Sequence, residues 1–126
     1  MDDGTLQILV LDDDYDIGQF IVDSATEHRL KSLATTTVPE FFDYLTSEVS
    51  LIFLDLVIPH IDGLEVLSRL GKSRCVSQIV IMSGADDLVL ETVETWSMQL
   101  GLDVVGHLQK PIRLSSLETF FRCCLE

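Results

Sequence analysis

Positive charge is scarce in this chain. Lys and Arg number 8 against 21 Asp and Glu, a net charge of −13 over 126 residues. Such a surface repels phosphate backbones and anionic headgroups, which argues against direct nucleic-acid binding and against attraction to a membrane. Long apolar runs are missing as well. Nothing approaches a bilayer span, and the N-terminus lacks the basic-then-apolar pattern of a secretion signal. Cysteine is limited to Cys75, Cys123 and Cys124. They show no metal spacing and no even set, and the adjacent pair could bridge only through a strained ring. The expectation is reduced thiols in a cytoplasmic protein, with at least one of the pair facing the core. Internal repeats, low-complexity tracts and linker-like stretches are absent, so residues 1–126 read as a single domain.

What the chain does have is apolar content. Hydrophobic residues make up 47%, enough for a compact core. They gather in short runs that predict strands at Gln7–Leu11, Leu30–Thr35, Leu51–Asp55, Gln78–Met82 and Val104–Leu108. Helical spacing of apolar residues fills the intervals. Asp16–His28 aligns Ile17, Phe20, Ile21 and Ala25, and Pro39–Thr46 aligns Phe41, Phe42 and Leu45. Gly63–Leu70 aligns Leu64, Leu67 and Leu70, Leu88–Leu100 aligns Val89, Val93, Trp96 and Leu100, and Ser115–Leu125 begins on a serine cap candidate. Strict strand–helix alternation with continuously apolar strands predicts an α/β fold with a parallel sheet covered on both faces. Five strands and five helices in this length fit a flavodoxin-like, doubly wound fold of strand order 2-1-3-4-5.

The strand ends carry the chemistry. Ile8–Leu11 stops at Asp12, Asp13 and Asp14, and Leu51–Leu54 stops at Asp55. Like charges gathered at the end of buried strands need a cation. In the order above the first and third strands flank the crevice where such sheets bind ligands. Asp12, Asp13 and Asp55 form an all-oxygen donor set suited to Mg²⁺, with Mn²⁺ admissible, over zinc. With that charge neutralised, a carboxylate can attack phosphorus and form an aspartyl phosphate. Donors for the transferring group stand at two later strand ends, Ser83-Gly84 and Lys110-Pro111.

These four spaced motifs, the Asp pair, Asp55-Leu-Val-Ile-Pro-His-Ile-Asp-Gly63, Ser83-Gly84 and Lys110-Pro111, resemble the receiver domain of two-component response regulators over nearly the whole chain. The resemblance implies Asp55 as phosphoacceptor, Asp12 and Asp13 as metal-binding acids, and the backbone carbonyl of Val57 as a further metal ligand. It also implies Ser83 and Lys110 as phosphoryl-binding groups and a cis Lys110–Pro111 bond. The implied function is phosphorelay signalling: Asp55 receives a phosphoryl group from a histidine kinase or phosphotransfer protein, and the change passes to an effector domain or protein. The chain would then be no enzyme beyond autocatalysing its own phosphotransfer and dephosphorylation, and a dimer formed on phosphorylation is compatible with it. Asp14 is expected to begin the first helix, where negative charge is favourable, and Asp62 and Gly63 to shape the loop into the third.

Two departures from the family pattern stand out. The family switches through a Ser or Thr after the fourth strand and an aromatic residue in the fifth. Ser83 fills the first role, and His107 occupies the second position, where it could rotate inward as an aromatic does, make the switch sensitive to pH, or stand as a half-exposed strand residue with no switching task. The interval from Ser83 to Lys110 is also several residues longer than usual, which predicts an extended or shifted fourth helix. The stretch Gly101–Pro111 is similar to receivers fused to EAL-type cyclic-di-GMP phosphodiesterases. A haloacid-dehalogenase-type phosphatase would need an acid two positions after the nucleophile, where this chain has Val57. A flavin or nucleotide site would need a Gly/Ser/Thr-rich first loop in place of three acids.

Overall fold

The computed structural model describes residues 4–58 and 61–126. In chain order the elements are β1 (Ile8–Leu11), α1 (Tyr15–Glu27), β2 (Ser32–Thr35), α2 (Val38–Tyr44), β3 (Leu51–Asp55), β4 (Val57–Ile58), β5 (Ile61–Asp62), α3 (Gly63–Lys72), β6 (Gln78–Ser83), α4 (Asp87–Gln99), β7 (Asp103–Gln109) and α5 (Leu114–Leu125). Five strands form one parallel sheet ordered β2-β1-β3-β6-β7. Counting these five alone, this is the expected 2-1-3-4-5 order with five helices. No sequence signal announces β4 and β5, an antiparallel pair that follows Asp55 closely.

The apolar strands sort by parity into two layers. Leu9, Leu11, Ile52, Leu54, Ile79 and Ile81 face α2, α3 and α4, joining Phe41, Leu67, Leu70 and Leu90. Ile8, Val10, Leu51, Phe53, Val80 and Met82 face α1 and α5, joining Ile21, Ala25, Leu117 and Phe121. Because side chains alternate along a strand, a continuous apolar run is what a sheet covered on both sides requires.

The edge strand β7 breaks this regularity. Ile79 pairs with Val104 but Val80 pairs with Gly106, so Val105 is an extra, bulged residue. Val104 then packs on the α4 side, while Val105 and Gly106 both turn toward α5. The bulge resets the alternation, sending His107 toward α4 and Leu108 into the α5 layer. It also absorbs one residue of the long interval between Ser83 and Lys110. A Cβ on Gly106 would lie 2.7 Å from the Phe120 ring, so any larger residue in the bulge must displace that ring.

Several local expectations shift. In α4 the fully buried residues are Leu90 and Ser97, with Val93, Trp96 and Leu100 half-buried against the core, whereas Val89 is exposed. Three consecutive apolar residues at positions 88–90 left the helical phase ambiguous. Phe20 is likewise partly exposed, and Gly18 and Ser24 complete the buried side of α1. Helix α5 starts before Ser115: Arg113 is the cap and makes no side-chain cap bond. That start sets Leu117 and Phe121 toward the sheet. Cys124 packs half-buried while Cys123 is exposed, and all three thiols are free. No helix of the described residues is long and apolar enough to cross a membrane.

Candidate functional site

The carboxyl ends of β1, β3, β6 and β7 open on one crevice. Asp12 follows β1 directly, held by its backbone N–H donating to Thr35 O at 3.1 Å. Its Oδ1 accepts the N–H of Asp14 at 2.9 Å, which curls the chain into α1 and leaves Asp13 exposed. Asp14 then caps the helix, its Oδ1 accepting from Asp16 N at 2.9 Å, as expected.

Asp55 closes β3 and is 2% exposed. The N–H of Val57 donates to Asp55 Oδ1 at 3.2 Å. Leu56 N donates to Met82 O, tying the strand end to β6. The chain turns at β4–β5 and returns so closely that a Cβ on Gly63 would lie 2.5 Å from the Leu56 backbone. Gly63 is therefore required for close approach, as its loop-shaping expectation implied. Asp62 ends β5, but its side chain, with Pro59 and His60 of the same motif, lies outside the described residues.

Lys110 enters from beyond β7, its preceding strand fixed by Lys110 N donating to Ser83 O at 2.8 Å. The bond to Pro111 is cis. The ammonium sits 2.9 Å from Asp12 Oδ2 and 3.4 Å from Asp55 Oδ1. The approach to Asp12 Oδ2 is an ion pair that falls short of a directed hydrogen bond, so this fully buried oxygen keeps unused acceptor capacity. Ser83 is buried at the end of β6, and its Oγ accepts the Ala85 N–H at 3.1 Å. The structure thus brings Asp12, Asp13, Asp55, Ser83 and Lys110 to one sheet edge. His107 lies apart from this cluster and faces α4.

The electrostatics are those of a cation site. Burial pushes the Asp55 carboxyl up to about 6; the Val57 N–H opposes this, the Asp12 charge reinforces it, and Lys110 opposes it. Burial draws Lys110 down, but Asp12 and then Asp55 more than compensate, leaving it above its ordinary value. One ammonium is being shared by acids that it does not fully satisfy. Among the described residues, Asp12, Asp13 and Asp55 form the group whose ligand atoms all lie within 4.8 Å of one another. With the spare Asp12 oxygen, this hard all-oxygen set fits a divalent ion of the Mg²⁺ class.

Two neighbouring contacts were not foreseen. Gln109 Nε2 donates to Ala85 O at 2.9 Å, joining β7 to the loop that carries Ser83. His107 bonds two α4 carboxylates, Glu94 and Asp87. Neither had a signal in the sequence, because each depends on how α4 lies against β7.

The family model described as response regulator receiver domain matches residues 8–122. A response regulator from Colwellia psychrerythraea is 26% identical over 95% of this chain and 96% of its own, with a TM-score of 0.81. Two more distant structures share the fold. A CheY-like receiver domain protein from Methanospirillum hungatei is 20% identical over 92% of this chain and 90% of its own, at TM-score 0.76. The chemotaxis protein CheY4 of Vibrio cholerae is 14% identical over 97% and 100%, at 0.79. No curated protein matches. With the family's sheet order and an acidic crevice at the switch between strands β1 and β3, the chain belongs to the receiver domains of response regulators, the signalling domains of two-component phosphorelays.

Proposed function

We propose that Asp55 is the phosphoacceptor of this receiver and that its crevice performs the transfer. The observation that carries this reading is the meeting of a buried Asp55 with Asp12 and the Lys110 ammonium at one strand edge. An Asp55 carboxylate oxygen bonds to phosphorus as the P–N bond of a phosphohistidine on a kinase or phosphotransfer protein breaks, and the departing imidazole takes a proton from solvent. Lys110 moves from carboxylate to phosphoryl oxygen, retaining a negatively charged partner throughout. Ser83 accepts from Ala85 N, so its own O–H is free to donate to the same group. Mg²⁺ or Mn²⁺, held by Asp12, Asp13, Asp55 and the Val57 backbone carbonyl, would neutralise charge on the phosphoryl oxygens. Attack of water on the phosphorus later returns the carboxylate and releases inorganic phosphate.

In this reading Ser83 and His107 pass the change to the α4–β7 surface, where an effector domain or protein, or a second phosphorylated copy, would dock. The setting is cytoplasmic. Incubation with acetyl phosphate and Mg²⁺, followed by intact-mass measurement, tests the chemistry. The expected gain of one phosphoryl group disappears in Asp55→Asn and slows strongly in Lys110→Ala. Phosphorylation that persists in Asp55→Asn would overturn the assignment.

A further inference from the structure

His107 sits between two carboxylates, one on each ring nitrogen. Nδ1 is 2.7 Å from Glu94 Oε1 and Nε2 is 3.1 Å from Asp87 Oδ1. A neutral imidazole donates from one nitrogen only, and its other nitrogen would then oppose a carboxylate lone pair. Only the imidazolium satisfies both contacts. The two acids lie seven positions apart on α4, so they grip the ring from one helix face, two turns apart. We propose that His107 is carried as an imidazolium strapped between Asp87 and Glu94, a proton-held tether of α4 to β7 whose release frees α4 and tunes the phosphorylation switch to pH. The consequence for switching rests on the phosphoacceptor reading above; the tether itself does not.

The surroundings favour a proton over a metal. The carboxylates face opposite ring nitrogens, so no single point lies within ligand range of all three groups. The His107 side chain is 19% exposed and Glu94 22%, whereas Asp87 is 68% exposed. The Glu94 arm is thus sheltered and the Asp87 arm screened by solvent. From α4, Glu91 lies between the two acids by helical spacing and is exposed. From β6 the paired residue is the apolar Ile81. On the α5 side, Ser116 and two cations, Arg113 and Lys110, share a groove with the ring. Gln109 at the end of β7 is neutral, and Lys110 just beyond it turns its ammonium to Asp12 and Asp55. Burial draws the His107 ring down, but the bonds to Glu94 and Asp87 and their charges outweigh it, so the ring holds its proton above the ordinary value. The tether is therefore complete below about pH 6.5 and is lost as pH rises through the raised value of the folded protein. Gln109 bonds to Ala85 O without a titrating group, so the Ser83 loop stays anchored when α4 is freed.

Trp96, the chain's single tryptophan, lies half-buried on α4 and reports this helix directly. Ring resonances of His107 followed by NMR should titrate above 6.5, and Glu94→Gln should lower that midpoint. Amide exchange along α4, corrected for intrinsic pH dependence, should accelerate across the transition. At equal Asp55 phosphorylation, the change in Trp96 fluorescence should grow across the same interval and become independent of pH in His107→Gln. The proposal is overturned if the ring titrates at or below 6.5. It is equally overturned if α4 exchange ignores the titration, or if His107→Gln keeps the wild-type pH profile. Failure of Asp55 to phosphorylate at any pH overturns the phosphoacceptor reading and the coupling with it, a result distinct from the ring titration, which reads the tether alone.

Discussion

Strands β3 and β7 both end in residues of the crevice, yet they are built in opposite ways. All five residues of β3 are buried, and its side chains interleave with helices on both faces. Strand β7 is a sheet edge whose seven residues are mostly half-buried, broken by a bulge and thinned by Gly106. The first delivers Asp55 to a fixed position; the second leads into Lys110 and carries, three residues earlier, a histidine that grips α4. The rigid and the loosely packed sides of the crevice therefore sit on different strands. The teaching is that packing density, not proximity to the site, separates what must hold still from what can move.

Substitutions can widen or collapse that contrast. Phe53 is fully buried in β3 and meets Phe121 edge-on, with ring centroids 6.1 Å apart. Phe53→Ala should destabilise by about 3–5 kcal/mol in urea denaturation, enough to unfold a marginal domain. Gly106→Ala in β7 meets the Phe120 ring, whose half-buried position lets it give way. Its expected loss is smaller, about 1–2 kcal/mol. A loss at Gly106 matching that at Phe53 would show β7 to be as rigid as β3.

What the residues alone disclosed follows the same division. The ends of β1 and β3 were legible because a saturated apolar run followed by Asp has few alternative readings, and Ser83 and Lys110 stood at corresponding strand ends. The β4–β5 pair was not legible, since two-residue strands show no periodicity. The bulge at Val105 was hidden because it is a relation between β7 and β6, and with it the direction in which His107 points. The grip on His107 by Glu94 and Asp87 depended further on the phase of α4, which Leu88, Val89 and Leu90 in succession leave undetermined. Arg113 in place of Ser115 as the cap of α5 was missed because that cap makes no side-chain bond to leave a signature.

The buried end of β3 also predicts an inverse effect, a proposed phosphoacceptor whose loss stabilises. Between the ordinary 3.8 and about 6, folded Asp55 holds a proton that the unfolded chain has released. Stability from this group therefore falls as pH rises through that window, and the penalty persists above it. Asp55→Asn should be more stable by about 1–2 kcal/mol at pH 7 after allowance for solvent screening, with the gain vanishing below about pH 3.8. Denaturation curves of both proteins across pH measure it. An equal gap at all pH values would mean that charge in the crevice is not the cause.

The smallest expected effect is the sharpest test of the contrast, because the molecule holds a second histidine in the same kind of grip. His28, capping α1, bonds Glu118 Oε2 at 2.8 Å and Glu126 Oε2 at 2.7 Å, and its ring meets Phe121 edge-on. The bonds to Glu118 and Glu126 raise its pKa, so its contribution to stability is present below about pH 6.5 and lost as pH rises through the folded value. This grip joins α1 to α5, on the face of the sheet opposite α4. His28→Gln should slightly flatten the stability profile near neutrality and leave the pH response of Trp96 unchanged, while His107→Gln should do the reverse. Measuring both variants by thermal melts and by Trp96 fluorescence separates them. If the two substitutions altered Trp96 alike, a carboxylate-bracketed histidine would act wherever it stands, and the loosely packed α4–β7 edge would have no special part in the response.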